Sequence, residues 1–556
     1  MPARRELGLT LSDPDRFLNS VPPGERELVN ETDVADMPGP LLLKAIARYH
    51  HLIPKQYLVN WVTNLRSTIE EMQTGSHIGT ADGCSGTGIW MLCNKVLFKF
   101  WNDEFGVGDD TSLVHLFACE LDPRKRNFHI RHHPDTKAMF GDVADLVKRI
   151  ARDYVTGKDT RVPQPHGLFG GGFSCKLKTK LNNNRSQFTS CIKDEIGSTG
   201  QTFKYLFEFS VLTRSVITVL ENLKECQQQS LEYDPDSATM TATSEDEFIR
   251  QKYERENFTC LLVPDDAQHH KSKARRERLW FVIFDMPTSI AKQLDVEANY
   301  HRVFDALRDT VPYPFEYFEV PEDVLVQMNL GRPLEQGQRK CAKKDEKWQA
   351  VHEELFNFAT VPWLPTLDDP VFKRFRERAA EMVFLANTLW EPQDSEWEFL
   401  ETLHSAERVF GWPIVSNRSL ESSDPKKALR NPWRNTIPTM TGGSAICGRR
   451  MDKNGKVILK KIHPLEMFQL NGWDISMWEQ GSPYLSAEVD DELLVDLAGN
   501  SWSSFSYVPV IMAAMGCVNW NEVNKLKKEM KMQAEVQAQS LSEGSSSLSE
   551  EETQRL

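Results

Sequence analysis

The sequence predicts an α/β fold built on a mostly parallel sheet, and three features carry that prediction. From about residue 76, short unbroken apolar segments recur along the chain; each ends at Gly, Asp or Pro; and the whole repeats as strand, turn, helix. Strands covered on both faces read as continuous apolar runs rather than as an alternation, which is the pattern here.

Taken in order, residues 1–75 are expected to form a helical N-terminal extension. A polar lead is followed by "PLLLKAIARYHHLI" and "QYLVNWVTNLRSTIEEM", where apolar residues recur three and four apart. Residues 76–289 hold the strand segments: "HIGTADGCSGTGI", "LVHLFACELD", "AMFGDV", "HGLFGGGFSC", "SVITVLENL" and "RLWFVIFD". Residues 290–435, rich in Pro, Trp and charge, lose this periodicity and are expected to form a separate, less regular domain. Ordered signals return over 436–522, through "TIPTMTGG", "HPLEMFQLNGW" and "LLVDLAGNSWSSFSYVPVIMAAMG", as a second part of the first unit. The Ser- and Glu-rich end of 523–556 cannot bury a core and is expected to be a disordered acidic tail.

At 556 residues the chain is too long for one ordinary core. Its opening stretch lacks an apolar segment suited to a signal peptide, and "YVPVIMAAMGCV" is too short to span a bilayer, so an intracellular protein with no membrane partner is expected. The ten cysteines are scattered singly, which suggests neither a disulfide framework nor a zinc site. "HIRHH" (His129, His132, His133) lacks partners at metal-ligand spacing and is expected to be a solvated turn, so no metal site is expected. A net charge of −14 argues against a protein that coats nucleic acid, though it leaves room for a local basic cleft.

The chemistry sits at the strand ends. "TADGCSGTG" supplies Gly83, Gly86 and Gly88, where absent side chains permit a sharp turn and close approach of a ligand. Some thirty residues on, "LFACELDP" ends in Glu120, from which a carboxylate can hold ribose hydroxyls, and "AMFGDV" presents Asp142. An acidic residue at a strand end is often only a helix N-cap, but the set has the layout of an adenosyl-binding half-sheet. Without a GxGxxG it favours S-adenosylmethionine over a dinucleotide.

The next strand end, "GLFGGGFSCK", presents Cys175 ahead of Lys176, Lys178, Lys180 and Arg185. Those cations could stabilise a thiolate or bind phosphate, whereas an arbitrary cysteine in a glycine turn is more often a small buried hydrophobe. "VITVLENL" then delivers Glu221 and Asn222 beside it. A thiolate next to a carboxyl group suits attack on a pyrimidine ring: sulfur adds to C6, the acid protonates N3, and C5 becomes nucleophilic. "SKARRERLWFVIFD" adds Arg276 and Arg278, two apart and so on one face of an extended strand.

The order of these motifs resembles the cytosine-5 DNA methyltransferase family. "DGCSGTG", "CELD", "FGDV", "GGGFSCK", "GSTGQTFKYLFEFS", "LENL" and "RRERLWFVIF" are followed by a variable segment, "HPLEMFQLNGW" and "LAGNSWSSFSYVP". The resemblance covers roughly residues 76–290 and 436–520. It implies a Rossmann-like S-adenosylmethionine-dependent methyltransferase fold, with residues 290–435 as a smaller target-recognition domain. It further implies Cys175 as nucleophile, Glu221 as the acid at N3, Asn222 as support for the Cys175 loop, and Arg276 and Arg278 as active-site cations. Asp82, Gly83, Cys84, Gly86, Gly88, Glu120, Leu121, Asp142, Val143, Asn500 and Ser501 would line the S-adenosylmethionine pocket. Lys176, Lys178, Lys180 and Arg185 would meet the nucleic-acid backbone.

Double-stranded DNA is the implied partner, with RNA as the alternative substrate, and the implied location is nuclear, or simply intracellular outside eukaryotes. Several positions depart from the family pattern. Ser174-Cys175-Lys176 stands where Pro-Cys-Gln is usual, Cys84 replaces an aromatic residue, Ala274 a glutamine and Leu465 an arginine. Proline's stiffness before the nucleophile is therefore absent, which keeps a catalytically inactive binding module of the same fold among the alternatives.

Overall fold

A computed structural model describes residues 77–105 and most of 113–309, apart from 176, 179–189, 229, 235–238, 287–290 and 292–294. It also describes scattered positions within 42–68 and 313–320, strands at 415–416, 446–451 and 457–461, residues 437, 439–440 and 463–473, and 491–526 with three positions beyond. Most of the expected target-recognition domain and nearly all of the expected acidic tail lie outside the described residues.

β1 (Ile78–Gly83) leads into α1 (Ile89–Phe105), β2 (Leu113–Cys119) into α2 (Pro123–His132), and β3 (Met139–Phe140) into the single turn α3 (Val143–Leu146). A hairpin, β4 (Ile150–Asp153) with β5 (Lys158–Arg161), precedes β6 (Leu168–Gly172). After α4 (Gly197–Thr213) come β7 (Ile217–Asn222) and a second hairpin, β8 (Ser230–Asp234) with β9 (Thr239–Thr243). α5 (Glu245–Arg255), β10 (Thr259–Asp266) and β11 (Glu277–Phe284) complete this part. The remainder comprises α6 (Val296–Ala306), β12 (Val415–Ser416), β13 (Ile446–Met451), β14 (Val457–Lys461), α7 (Pro464–Leu470), α8 (Asp491–Asn500) and α9 (Ser504–Met515).

Seven strands form one sheet in the order β3-β2-β1-β6-β7-β11-β10. Pairing is parallel from β3 to β7, and β11 alone runs against its neighbours β7 and β10. The α/β expectation with a mostly parallel sheet therefore holds. Strand β11 shows why its sequence is apolar throughout: Trp280, Val282 and Phe284 enter one core, Leu279, Phe281 and Ile283 the other, because successive side chains point to opposite faces. α9 is buried along its whole length, which accounts for its composition without a membrane. Among the described residues no single helix is long and apolar enough to cross one.

Two expected boundaries move. Val296, Tyr300, Val303 and Phe304 of α6 share the core of α1 and α9, so the first unit extends past residue 289. Leu42, Ala45, Ile46 and Tyr49 join the same core, and the Tyr49 hydroxyl donates to the carbonyls of His270 at 3.0 Å and Phe505 at 3.3 Å. At least this part of residues 1–75 is integral rather than appended. The C-terminal return is stitched in beside Ala274, where the Arg275 N–H donates to the Ile437 carbonyl at 2.7 Å and the Ile437 N–H to Lys273 at 2.9 Å.

Candidate active site

In sheets of this kind the ends of the parallel strands gather the ligand-binding side chains. Here β6 ends in three glycines, and each yields space to a specific neighbour. A side chain at Gly170 would overlap the Trp90 indole, one at Gly171 would press Leu206 and the Gly83 carbonyl at 3.2 Å, and one at Gly172 would meet Trp502 Nε1 at 2.9 Å and Glu221 Oε2 at 3.2 Å. The run is thus a packing requirement that lets β6 pass beneath large side chains on its way to Cys175.

Cys175 is half-buried, three residues beyond β6. Asn222, the last residue of β7, donates from Nδ2 to the Phe173 carbonyl at 3.1 Å and so holds the chain just ahead of the cysteine. Burial raises the thiol's pKa above its ordinary value, Arg278 and Arg276 act against that rise, and Glu221 adds to it. Among the described residues, the charged groups facing the thiol are those on β7 and around the start of β11.

Glu221 is buried between two donors. Arg278 pairs with Oε1, and the Trp502 indole N–H donates to Oε2 at 3.1 Å. The pairing follows from register, since Glu221 lies opposite Trp280 across the β7–β11 ladder and Arg278 is two residues from Trp280. Arg276 is buried at 3% exposure and donates from Nη1 to the Gly499 carbonyl at 3.2 Å. Its Nε finds no partner among the described residues, and burial together with Arg278 depresses its pKa to about 9. A buried, incompletely satisfied guanidinium beside a thiol and a carboxylate is a poised anion- or carbonyl-binding group.

Trp502 was not among the expected site residues. It lies in the return segment next to Ser501 and is held edge-on against Trp90 and Trp280, with ring centroids 5.9 and 5.1 Å away. The only hint in the sequence was an aromatic residue directly after "GNS", whose reach to β7 no local pattern reveals.

The β1–β3 side of the sheet carries the expected cofactor residues. Cys84, Gly86 and Gly88 have positive φ (60°, 50° and 78°), so the turn after β1 is left-handed at three places. A side chain at Gly86 would meet nothing within 4 Å, which leaves an open cradle, whereas Gly83 packs on Leu206 and Gly88 on His133 and His129. Glu120 closes the turn, one oxygen accepting the Gly86 N–H and the other the Asp122 N–H, each at 2.9 Å. Beside it Leu121 is 69% exposed, an apolar surface open to a ligand. Asp142 caps α3 through the Ala144 N–H at 2.9 Å and is exposed, and Val143 is buried behind it. Asp82 points inward to His115 Nε2 at 3.0 Å; burial raises its pKa while His115 opposes the rise. Asp82 Oδ2 and Ser85 Oγ are buried without a hydrogen-bond partner. Ser501 reaches this turn through Thr87 Oγ1 at 3.1 Å, while Asn500 is exposed and bonds to Asp496. Open space at Gly86, exposed Leu121 and orphaned Ser85 Oγ together fit a bound adenosyl group.

Two expectations are corrected. Lys178 does not face solvent: at 6% exposure its ammonium lies 2.6 Å from Glu245 Oε2, because a buried carboxylate draws it inward. Lys176, Lys180 and Arg185 lie outside the described residues. The histidines of "HIRHH" are not a solvated turn either, since His129, His132 and His133 are all buried. Burial pushes the pKa of His132 down to about 2 and of His133 to about 3; His129 and His133 pack beneath the Gly88 turn, with His133 Nε2 donating to the Thr87 carbonyl at 3.1 Å, and His132 stacks on Phe128. Among the described residues no cluster could hold a metal ion.

The strand order, the single antiparallel strand and the clustering at the strand ends define a Rossmann-like α/β fold. No family model matches the sequence, and no curated protein matches it. Among solved structures, the S. pombe Dnmt2 methyltransferase is similar at 10% identity and a TM-score of 0.35, over 79% of this chain and 98% of that one.

Proposed function

We propose that this chain is an S-adenosylmethionine-dependent cytosine-5 methyltransferase acting on duplex DNA. The observation that carries the proposal is the convergence of Cys175, Glu221, Arg276 and Arg278 at the ends of β6, β7 and β11. A thiol, a carboxyl group and two guanidinium groups are what addition to a pyrimidine ring needs. Bound S-adenosylmethionine supplies the methyl group, and Gly86, Glu120, Leu121 and Asp142 would hold it. With the base turned out of the duplex, Cys175 Sγ bonds to C6, Glu221 delivers a proton to N3, and C5 takes up the methyl group. Loss of the C5 proton to a base then re-forms the C5–C6 double bond as the Cys175 thiolate departs, and N3 returns its proton to Glu221. Arg278, paired with Glu221 at rest, is placed to meet the incoming pyrimidine carbonyl.

One observation favours a second reading, a binding module of the same fold: the Cys175 thiol is raised by burial, not lowered, at rest. Covalent trapping separates the two. The protein is incubated with S-adenosylmethionine and duplex DNA carrying 5-fluorocytosine, beside matching RNA, and denaturation-resistant adducts are counted. An adduct with DNA that vanishes in Cys175→Ala is expected. An adduct with RNA alone reassigns the substrate, and none with either, despite cofactor binding, overturns the enzyme reading in favour of the module.

A further inference from the structure

Cys175 is bracketed by two clamps. Asn222 holds the Phe173 carbonyl on one side. On the other the chain turns, the Lys178 N–H donating to the Cys175 carbonyl at 3.0 Å and the Leu177 N–H to Thr199 Oγ1 at 3.4 Å. From that turn the Lys178 side chain enters the protein and meets Glu245 Oε2 at 2.6 Å, with side-chain exposures of 6% and 0%. Glu245 Oε1 accepts the Ile192 N–H at 2.7 Å. Glu245 is also the first residue of α5, an eleven-residue helix whose N-terminal end favours negative charge. One carboxylate therefore ties residue 178 and residue 192, on either side of 179–189, to a helix of the core.

A buried ion pair is an expensive fastening. Desolvation costs several kcal/mol per ion, and apolar residues of similar volume often stabilise as well or better. What the pair adds is direction: a lysine with a buried partner fixes where its backbone turn lies. That matters in this chain because Ser174 stands before the cysteine, where a proline would have restricted the backbone.

We propose that Lys178 and Glu245 are positioning residues, a buried anchor that holds the Cys175 thiol against Arg278 and Glu221. The purpose of the anchor rests on the methyltransferase reading, but its geometry is testable without it.

The experiment is alkylation of the full-length, cofactor-free protein by iodoacetamide between pH 6 and 10, read peptide by peptide by mass spectrometry. Cys84, half-buried at the end of β1, is the internal reference. Glu245→Gln keeps an acceptor for Ile192 but discharges the pair. Freed from burial, Cys175 is expected to titrate closer to the ordinary thiol value near 8.5, and to react about tenfold faster at pH 7. Cys84 should not change, and Lys178→Arg, which keeps the charge, should retain the wild-type profile. Should Glu245→Gln fail to fold, the neutral pair Lys178→Met/Glu245→Gln takes its place with the same expectation. A Cys175 profile unchanged in the folded neutral variant overturns the anchor, as does a parallel shift of Cys84, which marks general loosening. Trapping with 5-fluorocytosine runs alongside. A shifted Cys175 profile without any wild-type adduct sinks the enzyme reading and leaves the anchor standing, and a wild-type adduct with an unshifted profile does the reverse.

Discussion

Two glycine-rich strand ends lie side by side in this sheet, on the paired strands β1 and β6, and they use glycine for opposite reasons. At the end of β6, Gly170, Gly171 and Gly172 are crowded by Trp90, Leu206, Trp502 and Glu221, so absent side chains make room for the protein itself. In the turn after β1, Gly86 has left-handed backbone and open space beyond it, so the absent side chain leaves room for something else. The same residue type thus marks a tightly packed support for the nucleophile on one side and an open cradle on the other.

The largest expected effect breaks the packed side. Gly170→Ala drives a methyl group into the Trp90 ring and should cost more than about 3 kcal/mol of stability, read as a lower urea midpoint; a loss below about 1 kcal/mol would mean that Trp90 moves freely. Trp502→Phe keeps the aromatic packing but removes the indole N–H from Glu221. A hydrogen bond to a charged group contributes about 2 kcal/mol, so stability should fall by up to about that much, read as a lower urea midpoint, and adduct formation should slow by up to about thirtyfold. An unaltered rate would leave Arg278 as the sole group orienting Glu221.

The open side rests on buried imidazoles, which makes it the acid-sensitive half. His132 and His133 have folded-state pKa values of about 2 and about 3 against an ordinary 6.5, so the unfolded chain binds more protons as pH falls. The stability they permit is complete above about pH 6.5 and declines as pH drops towards those folded values, by up to about 1.4 kcal/mol per pH unit for each. His133→Gln can still donate to the Thr87 carbonyl and should flatten this decline in urea titrations at pH 7, 6 and 5. An unchanged slope would show that His133 carries none of it.

Gly86→Ala has the smallest expected effect on folding. Nothing obstructs the methyl group, but the left-handed backbone there costs about 1 kcal/mol for a non-glycine residue. Because that methyl enters the cradle, cofactor affinity measured by calorimetry should fall further than stability does. Equal losses would make Gly86 another packing glycine and erase the contrast with β6.

Much of the site was legible because its residues end apolar strands. Cys175, Glu221 and Arg278 each sit next to a buried run, and once neighbouring strands pair, their ends must meet. Lys178 was misjudged because a lysine in a polar stretch looks solvated until the carboxylate of Glu245, 67 positions further on, is known to lie beneath it. The histidines were misjudged in the same manner: "HIRHH" looks polar, yet all three rings are buried, His129 and His133 under Gly88 and His132 against Phe128. Trp502 reaches Glu221 across 281 positions, a distance at which sequence pattern carries no information.

The sequence by itself determined the α/β class, the order of the motifs and the strand ends that carry chemistry. Strands buried on both faces must be continuous apolar runs, and the polar residues that interrupt them must emerge at the sheet's edge. Only the tertiary structure decided which glycines face protein and which face open space, that Lys178 turns inward, and that Glu221 lies between Arg278 and Trp502. Those outcomes depend on the direction of single side chains in turns, and that direction is set by partners far away in the chain.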